Sequence, residues 1–190
     1  MQSNDSLVIG SLLDMAQKNG QSLAESFLGC DAIVLVDTSG SMSATDSRGG
    51  RSRYDVACDE LRALQGSLPG KIAVLSFSNT VEFCPSGVAV FMGSNTNMER
   101  ALKFAKVADV PGVRFILISD GEPDNPEATL AAAKMYKSRI DTIFVGPEND
   151  LHARSFLDRL AQASGGQTVT ADRAMELKAG IETLLLKAKS

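Results

Sequence analysis

Four short apolar runs constrain this chain more than any other feature: Ala32–Val36, Ile72–Phe77, Val113–Ser119 and Ile140–Val145. They are dense in Val, Ile, Leu and Phe, and none alternates strictly between apolar and polar positions. A strand with one face in water alternates, whereas a strand that is apolar throughout needs cover on both faces. Helical patterns separate the runs. Tyr54–Leu68 stops at Pro69-Gly70, and Asn97–Val107 follows a polar loop. Pro126–Lys137 opens on a proline suited to a first helical turn, and Leu151–Ala163 ends at Gly165-Gly166. Strand and helix in alternation predict an α/β fold: a doubly wound, Rossmann-like, mostly parallel sheet with helices on both faces.

The remaining segments fill in around this frame. Pro85-Ser86-Gly87 lies between Val81–Cys84 and Val88–Met92 and predicts a β-hairpin that contributes one antiparallel edge strand. Gln167–Thr170 reads as a short strand, and Ala174–Lys187 as a final amphipathic helix. Ahead of the first strand, Leu7, Leu12, Leu13, Met15 and Ala16 recur at helical spacing, with Ser6 as cap and Gly20 as stop. A second helical turn is expected around Ser22–Phe27. Residues 1–30 are therefore expected to form a helical extension packed on a domain that spans residues 31–190.

Composition excludes several function classes. A net charge of −4, no Trp and two Tyr give neither the basic footprint nor the stacking surface of a nucleic-acid binder. Cys30, Cys58 and Cys84 are odd in number and lack CxxC spacing, so buried thiols in a reducing compartment are expected. The first positive charge is Lys18, and the apolar stretch Leu7–Leu13 is short, so the expectation is a cytoplasmic protein. His152 is the single histidine, which leaves no Ser-His-Asp or Cys-His arrangement.

The chemistry gathers where strands end. Asp37-Thr38-Ser39-Gly40-Ser41 follows the first strand, Thr96 lies in the loop before the helix at Asn97, and Asp120 ends the most apolar strand. In an open α/β sheet, ligands bind outside the carboxyl ends of the strands. Two carboxylates, Asp37 and Asp120, with the hydroxyls of Ser39, Ser41 and Thr96, form a hard oxygen set. Completed by water, it suits six-coordinate Mg²⁺, or Mn²⁺.

These residues in this order resemble the von Willebrand factor A (vWA) family and its metal-ion-dependent adhesion site. The Asp-x-Ser-x-Ser motif is matched by Asp37, Ser39 and Ser41, the middle-loop Thr by Thr96, and the Asp of Ser-Asp-Gly by Asp120. The resemblance covers residues 31–187, and the closest likeness is to compact intracellular prokaryotic members. It implies a non-enzymatic interaction module in which the cation is completed by an Asp or Glu carboxylate from a protein partner. An AAA+ ATPase or a stress-response complex is the partner class it suggests, with no role for nucleic acid or membrane. A metal-dependent phosphotransfer or phosphatase-like enzyme using the same aspartates is the alternative. Ser39 stands where such an enzyme would want a second Asp, and no Gly-x-x-x-x-Gly-Lys loop is present. A third reading keeps the site as a purely structural feature of an assembly factor. The long loop Ser43–Arg53 departs from the family pattern, and its Arg48, Arg51 and Arg53 are expected to be either solvated or a basic rim. Asp46, Glu122 and Asp124 are expected in solvent, turn or capping roles.

Overall fold

The structure is a computed structural model and describes residues 7–171. Six strands form one sheet in the order β3-β2-β1-β4-β5-β6. They are β1 (Ala32–Asp37), β2 (Ile72–Phe77), β3 (Val81–Phe83), β4 (Arg114–Ser119), β5 (Ile140–Phe144) and β6 (Thr168–Thr170). All pairings are parallel except β2–β3, an antiparallel pair at the edge. β1 lies between β2 and β4, with Ala32 opposite both Ile72 and Arg114.

The apolar strands are buried on both faces. Ala32, Val34 and Val36 pack with Val56, Ala57, Leu61 and Leu64 of α3 (Arg53–Ser67) on one side. Ile33 and Leu35 belong to the opposite core. That core is closed by α4 (Met98–Ala105), α5 (Pro126–Lys134) and α6 (Leu151–Ala163) through Met98, Leu102, Ala133, Leu157 and Leu160. Period-two alternation along β1 thus feeds two cores at once, which is why its sequence is uniformly apolar. No helix among the described residues is long and apolar enough to cross a membrane.

The local differences from the sequence reading have identifiable causes. The expected hairpin between Val81–Cys84 and Val88–Met92 does not form. β3 instead pairs with β2, Phe83 facing Leu75 and Val81 facing Phe77. The segment after Pro85 satisfies its backbone through side chains: Ser76 Oγ accepts the Val90 N–H (2.9 Å), and Tyr54 donates to the Ala89 carbonyl (2.6 Å). Gln65 Nε2 also donates to the Gly87 carbonyl (2.9 Å). These bonds remove the need for a ladder partner. The first helix, α1 (Leu12–Asn19), is capped by Ser11, whose hydroxyl accepts the Asp14 N–H; Ser6 lies outside the described residues. α2 (Leu23–Leu28) begins with a reciprocal capping box between Ser22 and Glu25. α1 meets the domain through the Leu13 N–H bond to the Pro85 carbonyl (2.9 Å) and the buried Leu12 and Ala16. The expected final helix at 174–187 also lies outside the described residues.

Candidate functional site: three loops at the carboxyl edge of the sheet

β1 and β4 are neighbours, while the chain leaves β1 for β2 on the other side, so a crevice opens at the carboxyl ends of β1 and β4. Asp37 is the last residue of β1, and Asp120 follows the last residue of β4. Asp37, Ser39, Thr96 and Asp120 are all buried, and Ser41 is half-buried.

Backbone bonds clamp the three loops together. The Gly40 N–H donates to the Ser94 carbonyl (2.8 Å) and the Gly93 N–H to the Thr38 carbonyl (2.9 Å), joining the first loop to the second. Ser94 takes a left-handed φ of 69°, the one non-glycine residue with positive φ among those described. Such a conformation persists only where surrounding bonds hold it. The second and third loops are joined reciprocally: Asp124 Oδ1 accepts the Thr96 N–H, and the Asp124 N–H donates to the Thr96 carbonyl, both at 3.0 Å. Asp124 therefore ties two loops, while Asn125 caps α5. The first and third loops meet through Ser119, whose hydroxyl donates to Asp37 Oδ2 at 2.7 Å.

Both oxygens of Asp37 are engaged, since Oδ1 accepts the Ser39 N–H at 2.9 Å. Burial, and secondarily the nearby Asp120 carboxylate, push the Asp37 carboxyl up to about 7. Ser39 and Ser41 bring their hydroxyl oxygens within 3.2 Å of each other. Asp120 is different: Oδ2 accepts from Arg53 Nη1 at 2.8 Å, and Oδ1 is buried without a hydrogen-bond partner. A buried carboxylate oxygen with no donor is costly unless another group compensates it. A hard cation supplies what such an oxygen lacks. No cluster of three or more His, Cys, Asp or Glu able to hold a metal occurs among the described residues. Carboxylate and hydroxyl oxygens at one sheet edge are chemistry suited to Mg²⁺ or Mn²⁺, whereas zinc favours nitrogen and sulfur.

Each arginine of the basic loop has an acidic partner, and one of the three is buried. Arg53, the first residue of α3, is buried and also pairs bidentately with Asp46, both contacts at 2.8 Å. Those bonds, Asp46 foremost and then Asp120, hold its guanidinium more firmly protonated than usual. Arg48 pairs with Glu60 (3.0 Å) and donates to the Ala171 carbonyl (2.9 Å), and Arg51 pairs with Asp59. Glu122 and Asp46 are both exposed as expected, and Asp46 in addition pairs with Arg53. His152 is exposed and, with Gly121, Glu122, Phe156 and Arg159, lines a cleft of about 290 Å³ beside the Asp120 loop. Sequence reading missed the roles of Ser119, Asp124 and Arg53. Ser119 directly precedes Asp120, which is a local signal; the other two act across loops and leave none.

No protein-family model matches the chain, and no curated protein is detectably similar to it. Solved structures are similar in fold. An aerotolerance-related membrane protein from Bacteroides fragilis aligns over 84% of this chain and 100% of its own, with TM-score 0.67 and 17% identity. The vWF domain of the type V pili tip protein Mfa5 from Porphyromonas gingivalis covers 83% of this chain and 94% of its own, with TM-score 0.58 and 13% identity. The manganese-loaded TRAP protein of Plasmodium vivax covers 80% of this chain and 74% of its own, with TM-score 0.57 and 16% identity. At these identities the likeness is one of backbone architecture: the chain has the fold of von Willebrand factor A domains.

Proposed function

We propose that this chain is a non-enzymatic, metal-dependent protein-interaction module that takes a partner's Asp or Glu carboxylate at a Mg²⁺ or Mn²⁺ ion. The observation that carries the reading is the buried, partnerless Asp120 Oδ1, set at the same sheet edge as Asp37 and the paired hydroxyls of Ser39 and Ser41. The manganese-loaded state of the TRAP neighbour supports the same choice of cation class.

In this reading Ser39, Ser41 and Thr96 offer neutral oxygens, while Asp37 and Asp120 hold the ion directly or through ordered water. The bound ion supplies an electrophilic position that a carboxylate fills better than a neutral amide. The chain's own residues do the rest. Asp37 is held by Ser39 and Ser119, and the clamps between loops fix the hydroxyls before any ligand arrives. Asp37 has both oxygens committed, which suits a ligand-orienting role and not that of a phosphoryl acceptor. The cleft lined by Gly121, His152 and Arg159 adjoins the Asp120 loop, and in this reading it takes residues flanking the partner's carboxylate. A cytoplasmic AAA+ ATPase or stress-response complex is the partner class we put forward.

Isothermal titration with MgCl₂ and MnCl₂ tests the site: wild type takes up the cation and Asp120→Ala does not. Unchanged uptake by that variant overturns the assignment. Capture of an acidic partner from the source cell is expected with Mg²⁺ and not with chelator. Turnover of general phosphatase substrates would overturn the non-enzymatic reading.

A further inference from the structure

Arg53 sits where a metal site ordinarily gains nothing from a cation. Its side chain is 10% exposed and that of Asp120 is 0% exposed, so their 2.8 Å contact is shielded from water. Asp46 anchors the other side of the guanidinium through two parallel bonds. The fork therefore has a fixed orientation, with Nη1 aimed at Asp120 Oδ2. The two other basic residues of the loop are directed elsewhere, Arg48 to Glu60 and Arg51 to Asp59.

We propose that Arg53 is a resident counterion of the metal site: it holds Asp120 in place, leaves Oδ1 free for the cation, and weakens cation affinity by sharing the carboxylate. This rests on the metal-binding reading above. The physical reason is a conflict between two states. Without a cation, two neighbouring buried carboxylates repel, and a fixed guanidinium on one of them offsets part of that cost. With a cation bound, two positive groups claim one carboxylate, and their repulsion subtracts from binding. The trade keeps the loops assembled when no metal is present and makes uptake readily reversible. Arg53 is thus a positioning residue that sets how tightly the site holds its ion.

The test compares wild type with Arg53→Gln, Arg53→Lys and Asp46→Asn by calorimetric titration with MgCl₂, with circular dichroism and melting curves in chelator. Arg53→Gln removes the charge, is shorter and keeps one amide NH₂ as donor, and is expected to bind Mg²⁺ about tenfold tighter, the scale on which a neighbouring like charge shifts an ionic equilibrium. The same variant is expected to melt below wild type in chelator. Arg53→Lys restores the charge and should return affinity towards wild type. A merely structural role predicts weaker binding in the glutamine variant and no rescue by lysine. Asp46→Asn, at a residue whose side chain is 44% exposed, serves if the glutamine variant does not fold. With the Asp46 charge gone, Asp120 becomes the guanidinium's remaining carboxylate partner and its positive charge is less offset, so Mg²⁺ binding weakens severalfold. A folded Arg53→Gln that binds Mg²⁺ no tighter than wild type overturns the proposal, as does an Asp46→Asn with unchanged or tighter binding. If wild type itself takes up no cation, the metal site fails and this proposal with it. Uptake abolished by Asp120→Ala but indifferent to Arg53→Gln overturns the Arg53 role alone.

Discussion

Replacing Asp37 by asparagine is expected to stabilise the metal-free protein at alkaline pH while abolishing its use as a ligand. The carboxyl is fully buried, and its titration moves from 3.8 to about 7 on folding. A group whose folded value is raised contributes stability at low pH and loses it as pH climbs. Between about 4 and about 7 the unfolded chain has released the proton and the folded chain still holds it, so stability falls across that window. At roughly 1.4 kcal/mol per unit, the ionised carboxylate costs the fold on the order of 4 kcal/mol at pH 8. Asparagine removes that charge. Its carbonyl can keep the Ser39 N–H bond, but its amide meets Ser119 Oγ, which already accepts the Gly121 N–H at 3.0 Å. The displaced Ser119 hydroxyl proton takes back about 1–2 kcal/mol. The net gain is about 2 kcal/mol, or ~4–8 °C in melting temperature for a domain of this size. Melting curves in chelator at pH 8 and pH 5 measure it, and the advantage should disappear at pH 5, where Asp37 is already protonated. Saturating Mg²⁺ should raise the wild type and leave the variant where it was, because only the wild type gains binding free energy. An Asp37→Asn protein less stable than wild type at pH 8, or stabilised equally at both pH values, would refute the reasoning.

Two further substitutions test the frame that positions the site. Phe115 is fully buried and meets Tyr136 edge-on at a centroid distance of 4.8 Å, so Phe115→Ala should cost about 3–5 kcal/mol, read as a lower urea midpoint with unchanged slope. Gly121 has φ of 83°, and a Cβ there would lie 2.5 Å from the Ala153 carbonyl oxygen. Gly121→Ala should therefore destabilise by more than about 1 kcal/mol, displace Asp120 and weaken Mg²⁺ uptake. An alanine variant that melts and titrates like wild type would show that this close approach does not matter.

How much of this was legible beforehand follows from the range of each interaction. Ile72–Phe77 and Leu151–Ala163 were read to the residue, because apolar continuity, period and glycine or proline stops are local properties. The helix at Pro126 ends at Lys134, short of the expected Lys137, since the backbone N–H groups of Lys137 and Ser138 turn instead to the Asp109 carboxylate. The hairpin failed for a related reason. Pro85 and Gly87 correctly signal a turn, but the ladder partner of Val81–Phe83 was decided by β2 and the fate of residues 87–90 by Ser76, Gln65 and Tyr54. A turn signal marks where a chain bends, and not which strand waits on the other side.

The same division runs through the site. Sequence alone determined that Asp37, Ser39, Ser41, Thr96 and Asp120 stand at strand ends or helix entries, since each adjoins an element whose period is written in neighbouring residues. Only the tertiary structure decided what each oxygen faces. Ser119 reaches Asp37 across 82 residues and Arg53 reaches Asp120 across 67. Those bonds commit both oxygens of one carboxylate and a single oxygen of the other. Contacts of that span depend on how sheet register and helix packing close the loops on one another, and no periodicity in the chain encodes them. The basic loop shows the cost of reading charge without contacts: three arginines suggested either a solvated loop or a basic rim, and folding turned one of them inward to the Asp120 carboxylate.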